Sequence, residues 1–308
     1  MRVVVAGLGV QGHKRIRVAG DDVVATVDPI AHDANYKSIK DVPLDTYDTV
    51  LVCTPDSAKI AILEYLLSNG KHALVEKPLL ATATDSLQAL HQLAQVSGCT
   101  VYTAYNHRFE PNLVKLKALL DGGELGEVYT ARLFYGNGTA ADTRSSPWRD
   151  RGLGVLSDLG SHLLDLVAHL FGDGDREFQG WSLGRYENQS PDHVVFGSTG
   201  RPFFELEATL LSWRNTFTID VLAAKGSAHV SGLCKWGPST LTIRKRVYPS
   251  GVPDETVVIA EGPDPTWSAE YAHFRRLAGT GFTSIAGDMR VSAILHEVGR
   301  QSAVLSTR

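Results

Sequence analysis

The chain has 308 residues, 43% of them hydrophobic and 21% charged, with a formal net charge of −4 at neutral pH. That length favours two domains over one. The composition is that of an ordinary globular protein, and no run approaches the ~18 apolar residues of a membrane span. The slight acidity leaves no electrostatic footprint for nucleic acid, which points to a small-molecule partner. Cys53, Cys99 and Cys234 are far apart and odd in number, the pattern of reduced thiols rather than of disulfides or a zinc site. Met1 leads straight into RVVVA, with no charged region followed by an apolar one of the secretory kind, so a cytoplasmic location is expected.

Up to Tyr105, short apolar runs alternate with helical patterns, which predicts a parallel sheet covered on both faces. The strands read are Arg2–Ala6, Val23–Val27, Thr49–Cys53, His72–Val75 and Thr100–Tyr105, and the helices Gly12–Ala19, Ser57–Ser68 and Thr84–Ser97. Asn69-Gly70 and Gly98 close the last two helices, while 30–46 carries little pattern. The grammar then changes to a helix at Pro111–Leu120, a turn at Asp121–Gly123, a strand at Glu127–Tyr135 and a polar loop to Arg151. From Glu177 to Ala260 the runs HVVFGS, PFFELEATLLSW, TFTIDVLAA, TLTIRKRVY and ETVVIA predict one mostly antiparallel sheet. Trp267–Ala278 and Arg290–Leu305 read as closing helices.

The first strand runs into Gly7-Leu8-Gly9-Val10-Gln11-Gly12 and then a helix, the strand–turn–helix context that gives a GxGxxG pattern its meaning. The first glycine permits the tight turn, the second lets backbone approach a pyrophosphate and the third allows close packing. The helix N-terminus supplies N–H donors for the anion. Asp28 ends the second strand, where a carboxylate would bind a ribose and repel a 2′-phosphate, so NAD is expected in preference to NADP. Lys14 and Arg15, just inside the helix, could reach a phosphate instead, although exposed charges on the helix surface are the commoner explanation of such residues. Cys53-Thr54-Pro55 and Glu76-Lys77-Pro78 end the third and fourth strands at the carboxyl edge, where ligands bind in doubly wound sheets.

In the second half, Gly152 to Leu170 is a leucine-rich helical pattern carrying Asp158, His162, Asp165 and His169 at spacings of four, three and four. At about 100° per residue these four fall within roughly 60° of each other. Ionisable groups on a packed helix are costly unless paired or used, so the stripe marks a site.

Taken together, GLGVQG at 7–12, CTP at 53–55, EKP at 76–78, YNHRFEP at 105–111 and GLGVLSDLGSHLLD at 152–165 resemble the Gfo/Idh/MocA group, named for glucose-fructose oxidoreductase and inositol dehydrogenase. The resemblance implies an α/β chain: an N-terminal Rossmann domain with a parallel sheet at 1–107, and an α+β C-terminal domain with a large, mostly antiparallel open sheet at 108–308. It implies NAD(P)-dependent oxidation or reduction of a hydroxyl on a sugar, polyol or nucleotide-linked sugar. It also implies a homodimer or homotetramer paired through the C-terminal sheet, and a cis peptide between Lys77 and Pro78. The family's catalytic lysine, aspartate and histidine fall on Lys77, Asp158 and His162. Two departures stand out: Lys59 occupies a position where relatives commonly have histidine, and Leu153 interrupts the usual glycine triplet at 152–154.

The expected cofactor contacts are Gly7, Gly9, Val10, Gln11, Gly12, Asp28, Cys53, Thr54, Pro55, Glu76, Lys77 and Asn106; those to substrate are Lys77, Tyr135, Trp148, Arg149, Asp158, His162 and Asp165. No metal is expected. Alcohol oxidation needs a base within hydrogen-bond reach of the hydroxyl, a role that suits His162, while Lys77 would stabilise developing alkoxide charge. Asp158 would tune the histidine or hold the lysine, and His169 reads as structural. The arginines and tryptophan of the 143–151 loop suit a sugar, with an acidic or nucleotide-linked one as the sharper reading and an exposed loop as the plainer one. Two other functions remain open. One is a non-catalytic dinucleotide-binding regulator. The other is a metal-dependent hydrolase or isomerase, disfavoured because His162 and His169 would stand about 10.5 Å apart along one helix.

Overall fold

A computed structural model of the chain describes residues 1–81, 84–146 and 149–305. These fall into two compact units, Met1–Asn106 with Thr266–Ser292, and His107–Pro265 with the chain from Ala293 onward.

In the first unit, β1 (Val3–Ala6), β2 (Val23–Val27), β3 (Thr49–Val52), β4 (His72–Glu76) and β5 (Val101–Ala104) form a parallel sheet in the order β2-β1-β3-β4-β5. β1, β3 and β5 are buried at every position, which is why they read as unbroken apolar runs rather than as alternations. Three helices follow strands, α1 (Val10–Ala19), α2 (Asp56–Ser68) and α3 (Thr84–Ser97), as the sequence pattern predicts. The weakly patterned 30–46 region holds two single 3₁₀ turns, Ile39–Asp41 and Leu44–Thr46, the first closed by a reciprocal Ser38–Asp41 capping box. The order changes direction between β2-β1 and β3, which puts the ends of β1 and β3 at a topological switch point.

The second unit begins with α4 (Pro111–Asp121), with proline at its first turn. Its eight strands are β6 (Val128–Gly136), β7 (Gln179–Gly184), β8 (His193–Ser198), β9 (Phe203–Thr209), β10 (Thr216–Ala223), β11 (Gly226–Ser231), β12 (Ser239–Lys245) and β13 (Asp254–Ala260). They form one sheet ordered β13-β12-β11-β10-β6-β9-β8-β7, antiparallel except at β6–β9. Burial alternates along β9 and β10, so one face is packed and the other open. β7 and β11 escape the sequence reading because QGWSLG and GSAHVS lack a run of strong strand formers. β11 is held instead by ladders on both sides, from β10 and β12.

A short helix, α5 (Ala140–Arg144), stands where the sequence reading has irregular loop. The leucine-rich stretch is not one regular helix either: Leu156–Gly160 form a π turn and α6 runs over Ser161–Phe171. Leu163, Leu164, Leu166, Val167 and Leu170 are each at most 3% exposed, and at about 1.5–3 kcal/mol per side chain this burial carries the polar residues of α6 inward with it.

The chain ends with α7 (Thr266–Leu277) and α8 (Ile285–Leu305), the latter starting ahead of the expected Arg290. A division at 107/108 assigns both helices to the C-terminal domain, whereas 266–292 groups with the first unit. There Val101 N donates to Phe282 O and Ser284 N to Val101 O, both at 2.9 Å, so the returning chain covers the free edge of β5. Thr103 Oγ1 also donates to the buried Asp288 at 2.7 Å. Among the described residues no helix is long and apolar enough to cross a membrane.

Candidate active site

The glycines of the first turn have distinct constraints. Gly7 has φ of +95°, and a Cβ there would lie 2.5 Å from Cys53 O; at Gly12 a Cβ would lie 1.9 Å from Gly7 O. Gly9 is exposed and meets nothing within 4 Å, so a side chain there would project into open space. α1 starts beyond Gly9 with no side-chain cap and no acidic residue in its first turn. The N–H groups of Val10, Gln11 and Gly12 therefore lack intrahelical acceptors, at the positive end of the helix dipole. Thr54 Oγ1, at the end of β3, is buried without a hydrogen-bond partner among the described residues. An open backbone cradle, an uncapped helix start and an orphaned hydroxyl fit the pyrophosphate of a dinucleotide.

Asp28 Oδ2 accepts from Leu8 N at 2.8 Å, and Oδ1 from Ile30 N and Ala31 N at 2.9 Å each. These bonds, that from Leu8 foremost, hold its carboxyl below the usual carboxylate range. The carboxylate is thus fixed and charged beside the glycine turn. Arg15 is no counterweight: it is 1% exposed, donating through Nε to Glu76 Oε1 at 2.6 Å and through Nη2 to Glu270 Oε2 at 2.7 Å. Lys14 Nζ sits 4.9 Å from the centroid of the Trp267 ring. Arg15 does not reach for a phosphate, because the buried Glu270 and the partly buried Glu76 hold it.

Cys53 and Pro55 flank Thr54 at the end of β3, and burial pushes the Cys53 thiol well above its ordinary range, which makes it an inert packing group. Glu76 closes β4 with its carboxylate on Arg15. Lys77 is half-buried, and its bond to Pro78 is cis, as the resemblance implies. Asn106 is buried and donates to Thr266 Oγ1 at 2.8 Å.

In the second unit, α6 places His162 against two rings from elsewhere in the chain. The His107 ring stacks on it with centroids 4.0 Å apart and planes 19° from parallel, and the Tyr135 ring, from β6, lies 5.9 Å away. Lys235 Nζ is 3.2 Å from both His107 Nε2 and Tyr135 Oη. Desolvation, helped by the negative charge of Asp158, pushes the Tyr135 phenol above its ordinary pKa and keeps its proton in place. His162 thus sits on a floor of aromatic rings with a cation at the rim.

The polar stripe divides. The wider i→i+5 turn of the π segment advances less than 100° per residue, and Asp158 comes out half-exposed while His162 and Asp165 are buried. Arg149 Nη2 lies 3.6 Å from Asp158 Oδ2. Asp165 is not directed outward: Arg108 forks onto both of its oxygens, with Nε at 2.9 Å from Oδ2 and 3.2 Å from Oδ1. Burial raises its carboxyl pKa against the pull of Arg108. His169 is half-buried at the far end of α6. Trp148 lies outside the described residues. Among those described, no group of three or more His, Cys, Asp or Glu is placed to hold a metal ion.

Sequence reasoning missed His107, Arg108, Lys235 and the buried state of Lys59. His107 and Arg108 lie inside the YNHRFEP stretch, where two basic residues between a buried strand and an apolar helix were a usable signal. Lys235 sits in the turn between β11 and β12, and no spacing links it to Tyr135.

Residues 1–105 match the family described as "Oxidoreductase family, NAD-binding Rossmann fold", and residues 113–229 match the "GFO/IDH/MocA C-terminal domain". The chain is 30% identical over 128 residues to scyllo-inositol 2-dehydrogenase (NADP(+)) of Bacillus subtilis, covering 41% of this chain and 35% of that protein. It is 33% identical over 159 residues to inositol 2-dehydrogenase 1 of Saccharopolyspora erythraea, covering 46% and 47%. The matched stretches thus span about a third to a half of the length of these curated relatives. Among solved structures, levoglucosan dehydrogenase in complex with NADH superposes with a TM-score of 0.85 at 17% identity, over 99% of this chain and 97% of that one, which shows a shared fold. With both of its domains matched in order, the chain belongs to the Gfo/Idh/MocA family of oxidoreductases, with an NAD-binding Rossmann domain at its N-terminus.

Proposed function

We propose that the protein oxidises or reduces a hydroxyl or keto carbon of a neutral sugar or polyol with NAD, and that Lys77 and His162 act on the reacting oxygen. The observation that carries this reading is the open, uncapped cradle at Gly9 with the fixed Asp28 carboxylate beside it. Bound nicotinamide supplies the hydride acceptor or donor at such a site. His162 takes the hydroxyl proton in oxidation and returns it in reduction, and the Lys77 ammonium stabilises the negative charge that develops on that oxygen. Tyr135 and Lys235 orient the substrate hydroxyls next to His162, while Asp165 acts only through Arg108. Asp28 favours NAD, because a 2′-phosphate would meet a carboxylate.

A neutral substrate is preferred to an acidic one because two of the three arginines of the loop already have carboxylates: Arg149 lies 3.6 Å from Asp158, and Arg144 lies 3.8 Å from Glu187. On this reading the first unit serves the cofactor and the second the substrate, and the open face of the eight-stranded sheet is the surface for pairing with further copies.

The test is NADH fluorescence with myo-inositol, scyllo-inositol and levoglucosan. Turnover of at least one is expected, with Lys77→Ala and His162→Ala each lowering kcat by roughly 10²-fold or more while NADH affinity is little changed. NADH binding without turnover of any sugar or polyol would instead support a dinucleotide-binding regulator. A ternary crystal structure with Lys77 Nζ and His162 too far apart for one oxygen would overturn the assignment.

A further inference from the structure

Lys59 lies one turn into α2 and is 2% exposed. Three acceptors surround its ammonium: Asp56 Oδ1 at 2.6 Å, Glu76 O at 2.6 Å and Pro78 O at 2.8 Å. A neutral amine carries two N–H donors, so a complete set of three bonds requires the charged form. Burial disfavours that charge and pulls the Lys59 pKa down, with Asp56 and Glu76 acting in the opposite sense. A lysine kept charged in the interior does work that an apolar side chain could not. The two carbonyls it holds belong to the residues immediately before and after Lys77. Glu76 closes β4, so the Pro78 carbonyl has passed beyond the strand ladder and needs a donor from elsewhere. The Glu76 side chain is separately anchored by Arg15 at 2.6 Å.

We propose that Lys59 is a positioning residue for Lys77, clamping the main-chain carbonyls on either side of it and so setting the direction in which Lys77 leaves the edge of the sheet. This rests on Lys77 acting at the reacting oxygen. A misplacement of about 1 Å can cost a catalytic group roughly 10²-fold. Lys59→Met in the full-length protein with NAD is therefore expected to slow single-turnover NADH formation by about 10- to 100-fold, with the NADH dissociation constant changed less than about threefold. Its crystal structure should show the Glu76 and Pro78 carbonyls turned away. In a Lys77→Ala background the same substitution should add no further loss. Lys59→Gln keeps two N–H donors without the charge and should recover most of the rate, which also supplies the readout if the methionine variant does not fold. Unmoved carbonyls with an unchanged rate, an additive loss in the double variant, or a glutamine variant as slow as the methionine one would each overturn the clamp. If Lys77→Ala alone leaves the rate intact, or no polyol turns over, the role of Lys77 fails, and the carbonyl positions in the Lys59→Met crystal structure still decide the clamp.

Discussion

Arg15→Met removes a guanidinium that is 1% exposed and ties two carboxylates together, one of them Glu270 at 0% exposure. Methionine roughly preserves the apolar volume, so the loss is electrostatic rather than a cavity. Removing one partner of a buried ion pair costs about 3–5 kcal/mol, because the remaining charge keeps its desolvation penalty. The guanidinium also lies 4.4 Å from the centroid of the Trp267 ring, a contact worth up to about 2 kcal/mol when desolvated. Against a typical total of about 5–15 kcal/mol, a loss of at least 3 brings the fold near its threshold. Urea unfolding measures it. The double variant Arg15→Met/Glu270→Leu should regain a large share, since an apolar pair replaces a half-broken ionic one. A loss below about 1 kcal/mol for Arg15→Met, or strict additivity of the two substitutions, would refute the reasoning.

The two glycines should separate stability from binding. Gly12→Ala, with its Cβ 1.9 Å from Gly7 O, should destabilise by about 1–3 kcal/mol or more, whereas Gly9→Ala, with nothing within 4 Å, should leave urea stability within about 1 kcal/mol and weaken NADH binding. Equal effects in both assays would contradict the cradle. For Asp28→Asn, the folded carboxyl pKa lies below its unfolded value of about 3.9, so the stability it contributes is present above that pH and lost as pH falls through the folded value. The gap in stability between wild type and variant should close on acidification, and the preference for NAD over NADP should fall at least about tenfold, or about 1.4 kcal/mol. A gap that widens in acid would count against this account. Arg108→Met, which strands a carboxylate at 4% exposure, should cost about 3 kcal/mol, and Asp165→Leu less, because Arg108 is 30% exposed and can turn to water. The reverse order in thermal or urea unfolding would show that the pair is held differently.

Much of the first unit was legible because each element answers to a local rule. Strands buried on both faces give apolar runs, the glycine turn has fixed backbone demands, and Gly70 and Gly98 stop their helices at φ of +67° and +64°. The site was less legible. A uniform 100° rotation placed Asp158, His162, Asp165 and His169 on one face, but a π turn breaks that arithmetic, and no residue pattern in LSDLG announces it. Asp165 looked like a substrate contact until Arg108, 57 positions earlier, took both of its oxygens.

The sequence by itself determined the order of elements, the doubly wound sheet, the glycine cradle and the family, because these depend on periodicity and on backbone conformations only certain residues adopt. Only the tertiary structure decided which charges are available for chemistry. Arg15 read as a surface cation from its position in α1 and Lys59 only as a departure from the family's histidine, yet both are buried and held by acceptors that lie between three and 255 residues away. Burial and partner identity arise from contacts between segments far apart in the chain, and the energy of a charge depends on both, so no local pattern can report it.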